Sequence, residues 1–141
     1  MSELNLVEKV IALEGVELLG ALAPDHLATV ATVATEVQVP PGRVILEPAK
    51  PVEALYIVLD GSVEVMRDGS VLDTVGQNSV LGAWALFGED DPIALTARAL
   101  SDTHLLRIGR DDFYDLLSDN TDIIAAIFST LVRRFRRLLE A

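Results

Sequence analysis

Residues 80–99 read VLGAWALFGEDDPIALTARA, and this stretch decides the fold. An apolar strand breaks at Gly82, a short helical turn and an acidic loop follow, and the chain re-emerges as a strand in which Thr96 and Arg98 alternate with Ala97 and Ala99. A backbone freed by glycine and running into a helix N-terminus presents unpaired N–H groups, which attract an anion without any side chain. Tight phosphate binding normally adds an arginine, because a planar guanidinium grips phosphate oxygens through two charge-assisted hydrogen bonds. Here the residue after Pro92 is Ile93, and Arg98 is the only basic side chain of the stretch. The segment reads as a phosphate cradle whose phosphate-binding side chains are missing.

Outward from the cradle the text is β. Val37 and Val39 alternate into the turn Pro40-Pro41-Gly42, and Val44-Ile45-Leu46 starts a strand. Leu55 to Leu59 is a continuous apolar strand turned by Asp60-Gly61; Val63 and Val65 alternate with Ser62 and Glu64 before the hairpin signal Asp68-Gly69, and Val71 to Val75 returns. Short strands with glycine-rich turns and no long helix between them predict an antiparallel β-roll, jelly-roll-like, rather than a parallel α/β sheet. Helices flank it. Leu4, Val7, Val10 and Ile11 are spaced for a helix over Glu3 to Leu13, VELLGAL (16–22) makes a short helical turn, and Pro24-Asp25 opens a third helix burying Leu27, Val30, Ala31 and Val33. Asp111 is placed to cap a helix through Leu117. Asn120 or Thr121 then starts a longer one with an apolar stripe of Ile124, Ile127, Phe128, Leu131, Phe135 and Leu138. The expected organisation is one domain over 1–141, with N-terminal helices in 1–36, the β-roll in 37–108 and two C-terminal helices in 111–140.

Composition narrows the function. The chain has 141 residues, enough for one domain with a real core. Half of them are hydrophobic, yet no apolar run approaches the roughly 20 residues that span a bilayer, and MSELNLVEKV lacks the basic flank and apolar core of a signal peptide. No membrane insertion is expected, and zero cysteines, which remove disulfides, thiolate metal sites and thiol catalysis, fit a cytoplasmic protein. Eleven basic against 22 acidic side chains give a net charge of −11, which repels nucleic acid and opposes a small anion unless a local positive field is built for it.

Three runs carry a family resemblance: LDGSVEV (59–65), LGAWALFGEDDPIALTARAL (81–100) and LLRIGRDDFYDLL (105–117). Together they resemble the cyclic nucleotide-binding domain shared by bacterial catabolite-activator regulators, the protein kinase A regulatory subunit and gated channels. That family's phosphate-binding cassette reads approximately F-G-E-L-A-L, a short loop, then P-R-A-A-T. The resemblance lays Leu81, Gly82, Ala83, Trp84, Ala85 and Leu86 on the first block and Pro92, Ile93, Ala94, Leu95 and Thr96 on the second. It implies a ligand pocket at Gly82, Ala83, Trp84, Ala85, Leu86, Pro92, Ile93, Ala94 and Thr96. The family's ribose-binding glutamate then falls on Ala83 and its phosphate-pairing arginine on Ile93. Ala49 replaces a family glycine, whereas Asn78 replaces another with a residue that tolerates positive φ. The last helix resembles the family's C-terminal helix, which caps the pocket and in many members pairs subunits; Phe113, Leu131, Phe135 and Leu138 are the residues it implies for capping or coupling. Phe113, Leu116 and Leu117 are the candidate hydrophobic hinge. Where some members read the purine with hydroxyls, this chain has Leu138 and Leu139. Within these residues no helix-turn-helix is expected, and the chain is read as a module excised from a longer protein.

Several readings stay open. Trp84 either fills the space of a ribose or packs in the core. Arg98 either swings inward to replace the missing cation or is a solvated strand residue. Arg133, Arg134, Arg136 and Arg137 either meet an acidic partner, a membrane surface or a second subunit, or form a solvated helix end favoured by the dipole. His26 and His104 are too few for a cupin-like metal enzyme, and no Ser/His/Asp order, Walker loop or zinc spacing appears, so a non-enzyme without cofactor is expected. Two functions remain. One is a regulatory module whose pocket does not bind cyclic AMP or cyclic GMP tightly and which acts through its C-terminal helix, as a homodimer or within a larger parent protein. The other is a sensor that binds a cyclic nucleotide weakly, or another compact ligand, through cassette backbone N–H groups.

Overall fold

The computed structural model describes residues 3–48, 50–83 and 95–140, and these divide into two units, Thr35–Arg110 and the pair of segments Met1–Ala34 and Asp111–Ala141. The first unit is an antiparallel β-sandwich. One sheet has the order β1 (Ala34–Val39), β8 (Thr103–Gly109), β3 (Ala54–Asp60), β6 (Val80–Leu81); the other has β2 (Val44–Leu46), β7 (Leu95–Ala99), β4 (Val63–Arg67), β5 (Ser70–Val75). β3 pairs antiparallel with β8 and β6, and β7 with β2 and β4, while β4 and β5 form the hairpin that Asp68-Gly69 signals, both residues having positive φ. Alternation explains the core: Val39, Val58, Val63, Leu81, Ala97, Ala99 and Leu105 meet between the sheets, with Val65 and Val75 packed against them. Asn78 adopts φ 72°, the left-handed conformation its identity allows.

β1 starts three residues before the first alternating valine. Thr35 and Glu36 carry no apolar signal, but Thr35 Oγ1 donates to the Arg107 carbonyl oxygen and the Glu36 carboxylate lies 2.6 Å from His104 Nε2, which ties the start of β1 to β8. The β region thus begins at Ala34 rather than 37.

The helical unit contains α1 (Leu6–Glu14), a 3-10 turn (Glu17–Leu19), α2 (Pro24–Thr32), α3 (Arg110–Asp119) and α4 (Thr121–Glu140). α1 starts at a reciprocal capping box, in which the Glu8 N–H donates to Asn5 Oδ1 at 2.8 Å and the Asn5 N–H to Glu8 Oε1 at 3.1 Å. α2 places Pro24 in its first turn and buries Leu27, Val30 and Ala31. Asp111 lies inside the first turn of α3 rather than before it, where a carboxylate still favours the helix dipole.

The apolar spacing of α1 and the apolar stripe of α4 do not mark their buried faces. In α1 Val7 and Ile11 are exposed and Leu13 is fully buried. In α4 the buried side chains are Ile123, Ile127 and Thr130, whereas Ile124, Phe128, Leu131, Phe135 and Leu138 are 41–77% exposed. Only Ile127 of the expected stripe faces inward. Among the described residues, no helix is long and apolar enough to cross a membrane.

Candidate functional site

The stretch expected to form a cradle begins where the chain leaves the first sheet at Leu81 and ends where it enters the second at Leu95. Gly82 has φ +88°, and a Cβ there would lie 2.8 Å from the Ala54 carbonyl oxygen and 3.1 Å from Val52 Cγ1. The position therefore excludes a side chain both by conformation and by the approach of β3. Ala83 and Thr96 are half-buried, and Arg98 is exposed on β7 opposite Glu64. Trp84, Ala85, Leu86, Pro92, Ile93 and Ala94 lie outside the described residues.

Beside Gly82, and sharing Val52 as a wall, lies a cavity of about 180 Å³ within the sandwich unit. Its apolar walls are Ile45 and Leu46 of β2 together with Pro51 and Val52 of the following loop. Tyr56 and Arg107 close it from the other sheet, where they are direct cross-strand partners on β3 and β8 and so present their side chains on the same face. Glu47 and Lys50 at the rim pair with each other at 2.9 Å, and Glu53 completes the lining. Among the described residues the half-buried Arg107 guanidinium has no ion-pair or hydrogen-bond partner. Sequence reading missed it. The available signal was a charged residue two positions after the core residue Leu105, in the inward register of an apolar strand.

A larger cavity, about 540 Å³, lies in the helical unit between the 3-10 turn and α4 and holds Glu17, Thr130, Arg133, Arg136 and Arg137. Its cations are occupied. Arg134 and Arg137 converge on Glu17 Oε1 at 3.4 and 3.1 Å, Arg136 pairs with Glu140 at 3.6 Å, and Arg133 donates to Thr130 Oγ1 at 3.4 Å. The arginine cluster is thus in part a clasp between α4 and the 3-10 turn. The ion-paired groups are more than half exposed, so each salt bridge contributes only about 0.2–1 kcal/mol.

Of the family-implied capping or coupling residues, Phe113 is buried in α3, while Leu131, Phe135 and Leu138 are exposed on α4. Leu116 of the candidate hinge is buried as well, and the Asn120 side-chain amide donates to its carbonyl oxygen at 3.0 Å. His26 is half-buried on α2 and His104 pairs with Glu36. Among the described residues no group of three or more His, Cys, Asp or Glu is arranged to hold a metal ion.

The sequence model of the cyclic nucleotide-binding domain matches residues 36–120, from the first sandwich strand through α3. The chain belongs to the cyclic nucleotide-binding domain family. Within that family it is 32% identical over 115 residues to a cAMP-dependent protein kinase regulatory subunit of Aspergillus fumigatus, a match covering 79% of this chain and 27% of that protein. It is 24% identical over 119 residues to a CRP-like cAMP-activated global transcriptional regulator of Mycobacterium tuberculosis, covering 81% and 53% of the two chains. The solved N-terminal domain of a transcriptional regulator from Streptomyces coelicolor superposes with a TM-score of 0.79 at 25% identity, covering 92% of this chain and 93% of that one. The chain spans about a quarter of the length of the first curated relatives it matches. Its homologues are domains of larger regulators, and the two four-stranded sheets with N- and C-terminal helices are the cyclic nucleotide-binding fold.

Proposed function

We propose that this chain is a non-catalytic regulatory module that does not bind cyclic AMP or cyclic GMP tightly and acts through pairing or coupling of α4. The observation that carries the reading is the exposed seam of that helix: Ile124, Phe128, Leu131, Phe135 and Leu138, spaced 4, 3, 4 and 3 residues apart, the a/d pattern of a paired helix. A lone amphipathic helix hides its apolar stripe, and this one displays it. The proposed occupant is a second copy of the chain. Replacing Phe128 and Phe135 together by Glu should weaken self-association at least about 100-fold, since burying one phenylalanine is worth about 1.5–3 kcal/mol. It should leave the unfolding midpoint of the monomer unchanged. Sedimentation velocity over a concentration series checks this; a parent chain that stays monomeric at about 100 μM overturns homotypic pairing in favour of a segment of a longer protein.

The cassette side chains support the other half of the reading. With Ala83 and Ile93 at the positions of the family's ribose carboxylate and phosphate arginine, two charge-assisted interactions of about 1.5–3 kcal/mol each are missing, enough to turn micromolar binding into millimolar. Thermal unfolding with about 1 mM cyclic AMP or cyclic GMP should then move the midpoint by less than about 2 °C. A rise of several degrees overturns the reading. A second reading, a sensor for a compact ligand other than a cyclic nucleotide, is favoured by the unpartnered Arg107 at the cavity beside Gly82.

A further inference from the structure

We propose that the cavity between β2, Pro51 and Val52, and the Tyr56–Arg107 pair binds a compact monocarboxylate, with the Arg107 guanidinium as its anchor; this rests on the sensor reading of the same unit and names its ligand class. A half-buried guanidinium without a partner is costly to keep, because its charge has lost part of its water and gained no counter-ion. An anion that enters the cavity supplies one. Arg107 is the group suited to this. Lys50 is engaged by Glu47 at 2.9 Å, and Arg98 is exposed on the strand β7.

The surroundings select among anions. Glu47 and Glu53 also line the cavity, so the local field tolerates one negative charge held at Arg107 and disfavours the second charge of a phosphate monoester. The guanidinium fork matches a carboxylate with two parallel N–H···O bonds. The remaining walls, Ile45, Leu46, Val52 and the Tyr56 ring, suit an apolar or aromatic body rather than a sugar. The volume of about 180 Å³ limits that body to roughly a single ring or a branched aliphatic chain. Val52 also touches the space beside Gly82, so a ligand seated there presses on the wall that the cassette glycine shares.

The test is an amide-resolved NMR titration of the full chain with sodium benzoate, benzamide and inorganic phosphate as probes. Benzoate should shift resonances of residues 45–56 and 105–108 saturably, with a dissociation constant at or below about 1 mM. Its uncharged isostere benzamide and inorganic phosphate should each bind at least about tenfold more weakly. R107Q should weaken benzoate at least about tenfold, R107K by less, and R98Q not at all. Equal responses to benzoate and benzamide, a stronger response to phosphate, shifts centred elsewhere, or an undiminished response in R107Q each overturn the proposal. If R107Q does not fold, the shift map and the benzoate–benzamide ratio of the parent chain decide. Cyclic AMP titrated into the same sample separates the two readings, because saturation with a dissociation constant in the micromolar range overturns the weak-nucleotide reading whatever benzoate does.

Discussion

Replacing Gly61 by alanine should cost about 2–5 kcal/mol of folding stability, a large part of the 5–15 kcal/mol by which a domain is normally held. Two terms contribute. Gly61 has φ +107°, a conformation that costs an L-residue about 1–2 kcal/mol, and its Cβ would sit 2.6 Å from Thr103 Oγ1 and 2.8 Å from both the Asp102 carbonyl oxygen and Thr103 Cα. Backbone atoms cannot rotate aside. Thr103 is itself buried and donates its hydroxyl to the Ser101 carbonyl oxygen at 2.9 Å, so the turn before β8 must shift as a piece. Gly69→Ala provides the internal control. Its φ is +82° but nothing lies within 4 Å of the added carbon, so only the dihedral cost of about 1–2 kcal/mol applies. Urea unfolding of both variants measures the difference, and equal losses would mean that the Asp102-Thr103 turn gives way freely.

Phe113→Ala should be the most damaging truncation in the helical unit, at about 3–5 kcal/mol. Phe113 is 1% exposed and among the largest fully buried side chains of the described residues, so its removal leaves a cavity in the helical core. The same experiment bears on coupling. A packed anchor loses its full transfer and cavity energy, whereas a side chain that already moves between two positions loses less. An unfolding free energy lowered by under about 1 kcal/mol, well short of the usual range, would therefore mark Phe113 as a hinge rather than a fixed contact.

The strands were legible because apolar alternation has one interpretation, and Val63, Ala97 and Ala99 point where it says. α4 was legible as a helix but not as a face. Its apolar residues come in adjacent pairs, Ile123-Ile124 and Ile127-Phe128, so two stripes fit a 3.6-residue period equally well. The bulkier stripe is the exposed one, which inverts the usual inference that the more apolar side is the core. Arg107 escaped notice for a different reason. In HLLRIG Arg107 follows the apolar pair Leu105-Leu106 and precedes Ile108, and only the pairing with Tyr56 and the nearness of β2 turn a lone arginine into the lining of a cavity. Gly82 was readable as a break that takes no side chain, and its φ and its approach to Ala54 permit no other residue.

The helical unit is assembled from two segments, Met1–Ala34 and Asp111–Ala141, with the sandwich spliced between them. Thr35 and Arg107, 72 positions apart in the chain, share a hydrogen bond of 3.4 Å, so the points where the polypeptide enters and leaves the sheet lie side by side. Closing a flexible loop of 72 residues costs about 4 kcal/mol in chain entropy, and a folded sandwich has already removed that search. An order of events on the ribosome follows. α1 and α2 emerge first with Leu13, Leu27 and Val30 uncovered, the sandwich closes next, and the helical core is completed last, when α3 and α4 arrive. A released chain truncated after residue 110 would therefore carry a finished sandwich and a sticky, unfinished leader, the combination that holdase chaperones and quality-control proteases select.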